Sequence, residues 1–191
     1  MPQPAGAGAR GGAPALSGKT VFIPPMAHGS ARAFAAAFRA VGCAAELTPP
    51  SDGLTLEIGA RGTSGDECHP ARVTLGDFLK MLEAPGCDPA QTVLFMPTAT
   101  GPCRFGQYAP YLRWVLDQQG YTATAIISPS SSNGYSGLGA LAEPFARTAW
   151  RALLCADILQ KALLRCRPYE LEDGAADAAY EESLDDLCAA I

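Results

Sequence analysis

The chain has 191 residues, 48% of them hydrophobic and 17% charged, with a formal net charge of −5; that is enough apolar material for one core and one compact domain. The acidity is uneven, because Glu170 to Ile191 holds eight of the 19 acidic residues and no Lys or Arg, and no basic stripe marks a nucleic-acid surface. No run of about 18 apolar residues is present to cross a membrane, the first 18 residues lack the apolar segment of a secretory signal, and seven cysteines, an odd number, argue against a secreted disulfide framework. The expectation is a cytoplasmic protein with reduced thiols, some of them ligands.

Residues 1–18 contain five Gly, five Ala and three Pro, a composition that predicts a disordered leader. Residues 19–23 read as a short buried strand closed by Pro24-Pro25. A helix over 28–41 follows, with Phe34, Phe38 and Val41 on one face and Gly42 as its stop. Residues 45–48 form a weaker strand, and Ser51-Asp52 can cap a short helix through about Gly59. After a Gly-rich turn and Cys68, a second amphipathic helix begins near Pro70 with Leu75, Phe78, Leu79 and Leu82 on its face, ending near Pro85-Gly86.

The run Thr92-Val93-Leu94-Phe95-Met96-Pro97 has no alternation, which suits a central parallel strand covered on both faces. A helix over 104–119 places Tyr108, Leu112 and Val115 on one stripe. Residues 122–127 form another strand, 128–139 a polar loop, and 142–167 a long helix stopped by Pro168. The strand and helix alternation predicts a three-layer α/β domain, Rossmann- or flavodoxin-like, with a roughly four-stranded parallel sheet over residues 19–169 and an acidic tail over 170–191. In such sheets ligands bind at the carboxyl ends of strands, where loops 97–103 and 128–139 meet.

Chemistry concentrates at two cysteines. Cys68 and Cys103 each sit in a Gly/Pro-framed turn before a helix, where the positive end of the helix dipole favours the thiolate that binds metals. Cys43, Cys155 and Cys166 instead fall on or beside apolar helix faces, and Cys87 and Cys188 in a turn and a mobile tail, as ordinary small hydrophobes. No C-x-x-C pair exists, which excludes the usual zinc-ribbon and ferredoxin spacings. A zinc site of Cys68, His69 and Cys103 is disfavoured, because adjacent residues seldom point at one metal and no fourth ligand is evident.

Arg104, Gln107 and Tyr108 occupy the first turns after Cys103, so their donors can face a bound cluster or anion. Their alternative is ordinary packing and solvation. The serines and Asn133 of the 128–139 loop either present polar groups to a ligand or serve as a connection. His28 reads as a polar residue at a helix start, and Glu67 as an isolated carboxylate in a turn. Neither phosphate-loop pattern nor a G-x-S-x-G elbow occurs, so a nucleotide site and a hydrolase triad are unsupported.

The pieces Val21-Phe22-Ile23-Pro24-Pro25-Met26, Gly65-Asp66-Glu67-Cys68-His69-Pro70, the stretch from Met96 to Tyr108 containing Gly101-Pro102-Cys103-Arg104-Phe105-Gly106-Gln107-Tyr108, and Arg167-Pro168-Tyr169-Glu170 resemble the C-terminal region of the large acyl-CoA dehydratase activase-related proteins. These belong with the 2-hydroxyacyl-CoA dehydratase, 2-hydroxyglutaryl-CoA dehydratase included, and benzoyl-CoA reductase systems. The resemblance spans nearly all of residues 19–175. It implies an oxygen-sensitive iron–sulfur protein of anaerobic electron transfer, with Cys68 and Cys103 as ligands of a 4Fe-4S or double-cubane cluster and Arg104, Gln107 and Tyr108 around it. It also implies a partner iron–sulfur, dehydratase or activase subunit, and no ATPase activity in this chain.

Two departures stand out. His69 replaces the aromatic residue usual after the first cysteine, and the chain is far shorter than the large relatives. Two cysteines fill half of the four-thiolate shell of a cubane. A symmetric homodimer in which each chain donates both supplies the rest; a different partner chain is the alternative. The other functional classes open at this point are a non-catalytic assembly module, a CoA-ester-binding module without a cluster, and a thiol-redox protein using a Cys68/Cys103 disulfide.

Overall fold

Four short strands, all parallel, form one sheet in a computed structural model that describes residues 16–135 and 137–191. They are β1 (Thr20–Ile23), β2 (Ala44–Leu47), β3 (Thr92–Phe95) and β4 (Ala125–Ile127), in the order β2-β1-β3-β4. Val21 pairs with Ala45 on one side and Val93 on the other, and Leu94 pairs with Ile126. β3 is central and buried at all four positions, which accounts for its unbroken apolar run. The fold is the expected three-layer α/β architecture, and the switch in strand order lies between β1 and β3.

Side-chain alternation divides the core in two. Val21, Ile23, Val93, Phe95 and Ile127 face α1 (His28–Ala40) and α5 (Ala142–Cys166), whereas Leu94, Met96, Phe22 and Ile126 face α3 (His69–Leu82) and α4 (Tyr108–Gln118). On the first face Phe38 lies 4.2 Å from Phe145 and 5.3 Å from Phe95, centroid to centroid. The small residues Ala31, Ala33, Ala35, Ala36 and Ala37 are buried along α1, which lets that helix approach both sheet and α5.

On the second face α2 (Gly53–Arg61) packs against α3. The two backbones nearly touch: a Cβ at Gly59 would lie 2.1 Å from the Arg72 carbonyl oxygen, and one at Gly76 would lie 2.0 Å from that of Thr55. Only glycine fits either position, and the close crossing fixes where α3 begins. Asp52 caps α2 by accepting the Thr55 amide at 2.9 Å, as expected, while Ser51 donates instead to Asp77 at 2.9 Å.

Several boundaries differ from those read in the sequence, for local reasons. The helix expected over 104–119 opens as a 3-10 turn, Arg104–Gln107, and becomes α-helical only at Tyr108. The strand expected from 122 starts at Ala125, because residues 121–124 form a turn whose Tyr121 and Thr124 carbonyls both accept from the Arg113 guanidinium, at 3.0 and 2.6 Å. Leu16 is buried in the core and its carbonyl accepts the Lys19 amide at 3.1 Å, so the domain starts inside the stretch read as a leader. Residues 1–15 of that leader lie outside the described residues.

The acidic segment, read as a tail beside the domain, is a 16-residue helix, α6 (Ala175–Ala190), packed on α5 and α1. Leu184 is fully buried against Ala33, Ala152 and Ala156, and Tyr180 and Leu187 flank it. Arg32 of α1 donates to Glu181 at 2.8 Å and also pairs with Asp185. The carboxylates looked like a solvated run because they line the outside of a helix whose inner face is sparse in large apolar residues. Among the described residues no helix is long and apolar enough to cross a membrane.

Candidate functional site

The chain from α2 to α3 runs through Gly62 to Cys68, and α3 must lead down to the start of β3, so its N-terminus lies at the carboxyl ends of the strands. Cys68 occupies the N-cap position of α3, with extended backbone at φ −67° and ψ 146°, and its carbonyl accepts the Ala71 amide at 2.9 Å. Cys103 occupies the equivalent place before the 3-10 turn that follows β3. Cys68 is half-buried and Cys103 exposed, and both are free thiols.

Tyr108 links them. Its hydroxyl lies 2.7 Å from the Cys68 sulfur, and its phenol feels the charges of both Cys68 and Cys103. Burial, then the bond to Cys68, then those two charges push the phenol well above its ordinary pKa; either group can donate while Cys68 is a thiol, and the hydroxyl is the donor when Cys68 is a thiolate. In return the Cys68 thiol is lowered from its usual range, first by the Tyr108 hydroxyl, with the Ala71 amide and the Arg104 charge adding to it against the cost of burial. A stabilised thiolate is the form that ligates a metal.

Arg104 ties the two turns together, its guanidinium donating to the Asp66 carbonyl at 2.6 Å. Gly106 holds the second turn tight, since a Cβ there would lie 2.7 Å from the Ala99 carbonyl oxygen. Between the turns is a cavity of about 220 Å³, mostly apolar, whose lining includes Cys68, Ala71, Arg104, Gln107, Tyr108 and Tyr111. Four of the five residues expected at the site, Cys68, Arg104, Gln107 and Tyr108, thus line one cavity; Cys103 does not line it.

Tyr111 and Glu67 are the additions that sequence reasoning missed as parts of this wall. The Tyr111 hydroxyl donates to the Gly62 carbonyl at 2.5 Å. Glu67 accepts the Ser64 and Gly65 amides at 3.0 and 3.1 Å, and its carboxyl is lowered, first by its own backbone amide, then by that of Gly65 and by Tyr111, against burial. The carboxylate therefore organises the turn before Cys68. The signal available was the spacing of Tyr108 and Tyr111, three residues apart on one helix face.

Other candidates go elsewhere. His28 pairs with Glu181 at 3.0 Å. In the 128–139 loop, Ser130 and Asn133 cap each other, and the Ser130 and Ser132 hydroxyls lie 2.9 Å apart. Pro129, Gly134 and Tyr135 form part of an aromatic groove with Phe34, Phe95 and Trp150, on the α1/α5 side of the sheet.

Comparison with family models, curated proteins and solved structures finds no match. Among the described residues no three His, Cys, Asp or Glu side chains gather to hold a metal ion. Of the two cysteines, Cys68 alone lines the cavity, with the Tyr108 hydroxyl on its sulfur and Arg104 in the same wall.

Proposed function

We propose that this chain is an iron–sulfur protein of low-potential electron transfer, with Cys68 and Cys103 as its thiolate ligands and the remaining two supplied by a second chain. The observation that carries the reading is the Tyr108 hydroxyl 2.7 Å from the Cys68 sulfur at the start of α3. A half-buried hydroxyl on the sulfur of Cys68 is the setting of a polar thiolate rather than of an ordinary small hydrophobe.

When bound, the cluster supplies a one-electron couple. The chain's own residues prepare its negative charge: α3 presents its N-terminal dipole to Cys68, Tyr108 donates to the sulfur, and Arg104 places a cation beside it. The apolar wall of Ala71, Tyr108 and Tyr111 limits water at the thiolate, which strengthens each of these interactions. A symmetric homodimer donating two cysteines from each chain completes a 4Fe-4S shell; a cluster-bearing, dehydratase or activase subunit is the other source. The cytoplasmic location, the double-cubane alternative and the place of this chain in acyl-CoA dehydratase or benzoyl-CoA reductase systems belong to the same proposal.

Anaerobic reconstitution followed by iron and sulfide analysis tests it. Cluster uptake with visible absorption that bleaches on dithionite, lost in Cys68→Ser and in Cys103→Ser, is the expected result; an iron-free protein, or full retention in both variants, refutes it. A second reading, a cluster-free assembly module, has its own support in the exposed Trp150, Leu154 and Ile158 on one stripe of α5. A colourless protein that stays bound to a partner after gel filtration favours that reading.

A further inference from the structure

We propose that the aromatic groove at the carboxyl ends of β3 and β4 binds a small apolar monoanion, its body against the phenylalanines of the groove and its charge on Arg147. The groove lies on the α1/α5 side of the sheet, across from the α3/α4 side that carries Cys68. The proposal does not rest on the iron–sulfur reading.

Position and size point to a ligand. Pro97 and Pro129 stand just past the ends of β3 and β4 and line one cavity of about 700 Å³. The carboxyl edge of an open parallel sheet is where ligands bind, and the volume suits a small molecule held over most of its surface. The floor is formed by Phe34, Phe95 and Phe145, with ring centroids 5.1, 6.3 and 6.4 Å apart. These rings are packed against one another before a ligand arrives, so binding costs little rotamer freedom.

The loop beside the floor is equally preformed. Ser130 and Asn133 cap each other, and the Tyr135 amide donates to the Ser130 carbonyl at 2.9 Å. Tyr135 holds φ at 55° and is the one non-glycine residue with positive φ among the described residues. That conformation is unfavourable for a residue with a bulky side chain. It is kept at a residue that lines the groove, and backbone strain retained beside a cavity points to a role for that cavity.

Charge selects the class of ligand. The lining contains one cation, Arg147, and one anion, Glu143, paired four residues apart on α5. The Glu143 side chain is 82% exposed and that of Arg147 60%, so the carboxylate lies further out in solvent and the pair is weak. Arg147 exchanges Glu143 for a ligand carboxylate or sulfonate, whose two oxygens match the guanidinium fork. The apolar body of the same ligand covers Phe34 and Trp150.

The test uses the full chain carrying Trp114→Phe, which leaves Trp150 at the groove as its one tryptophan, without added iron. The probe is anilinonaphthalene sulfonate. The expected result is saturable energy transfer from Trp150 to one dye per chain, with decanoate displacing the dye at about tenfold lower concentration than decanol or decylamine. Arg147→Gln removes the preference for decanoate, and Ala146→Leu, which fills the groove, removes the transfer. Urea midpoints report the folding of each variant. Absence of saturable transfer, a preference for decanol or decylamine, or an unchanged decanoate preference in Arg147→Gln overturns the proposal. So does a loss of transfer in Leu154→Ser with Ala146→Leu unaffected, because the dye then sits on the exposed stripe of α5.

Discussion

Leu184→Ala tests whether the acidic C-terminal segment is an integral part of the domain. Leu184 is fully buried against Ala33, Ala152 and Ala156, which are too small to move into the space its side chain leaves, with the larger Tyr180 and Leu187 at its flanks. A cavity that collapses only in part puts the substitution within the range for buried leucines, about 2–5 kcal/mol. The ion pairs from Arg32 to Glu181 and Asp185 lie at the edge of the same contact; with exposed carboxylates they contribute under about 1 kcal/mol each and are weakened by salt. Burial therefore outweighs charge in holding α6. Urea denaturation of wild type, Leu184→Ala and Arg32→Gln at low and high salt measures both. A loss under about 1 kcal/mol in Leu184→Ala, or a high-salt loss in wild type larger than the loss caused by Leu184→Ala, refutes the argument and leaves α6 held by its charges.

Gly76→Ala places a Cβ 2.0 Å from the Thr55 carbonyl oxygen, so α2 and α3 must separate; the expected outcome is a destabilisation of about 1–3 kcal/mol or more in urea, together with weaker cluster uptake because the start of α3 moves. Gly106→Ala pushes the turn after Cys103 off the Ala99 carbonyl and should lower iron content with little change in overall stability. Asp77 is buried and its carboxyl is raised above 3.8, chiefly by burial against the opposing bond from Ser51, with Thr55 and Lys80 also lowering it and Asp52 raising it. The folded state therefore holds this proton at pH values where the unfolded state has released it, so Asp77 makes stability fall as pH rises from 3.8 through the folded pKa. Other carboxylates act in the opposite sense, so the quantity to measure is the difference between wild type and Asp77→Asn across pH 3–7: the variant gains relative to wild type as pH rises, and a flat difference contradicts the burial of a titrating Asp77.

The sheet was legible because its strands are short and lie close to Pro or Gly, β2 with its Glu46 being the weakest signal; the run at Val93, Leu94 and Phe95, apolar at every position, announced a central strand covered on both faces. Helix α6 was not, since Leu184 alone is fully buried on it and the alanines that receive it carry no amphipathic signal. The crossing of α2 and α3 was equally silent: Gly59 read as the end of a short helix, and nothing in the sequence pairs it or Gly76 with the opposing carbonyls. At the site, the cysteines announced themselves by their turns and the donors by their proximity to Cys103. The pairing of Tyr108 with Cys68, 40 residues earlier in the chain, needed the fold, because α3 and α4 meet only after the sheet has brought their N-termini to one edge.

Iron per chain, measured together with the mass of the assembly after anaerobic reconstitution, tests the central claim most directly. A homodimer that shares one 4Fe-4S cluster through Cys68 and Cys103 contains about two iron atoms per chain at the mass of two chains, and the double variant Cys68→Ser/Cys103→Ser contains none. Iron retained by that double variant, or no iron in a folded wild-type protein offered iron and sulfide, contradicts the account.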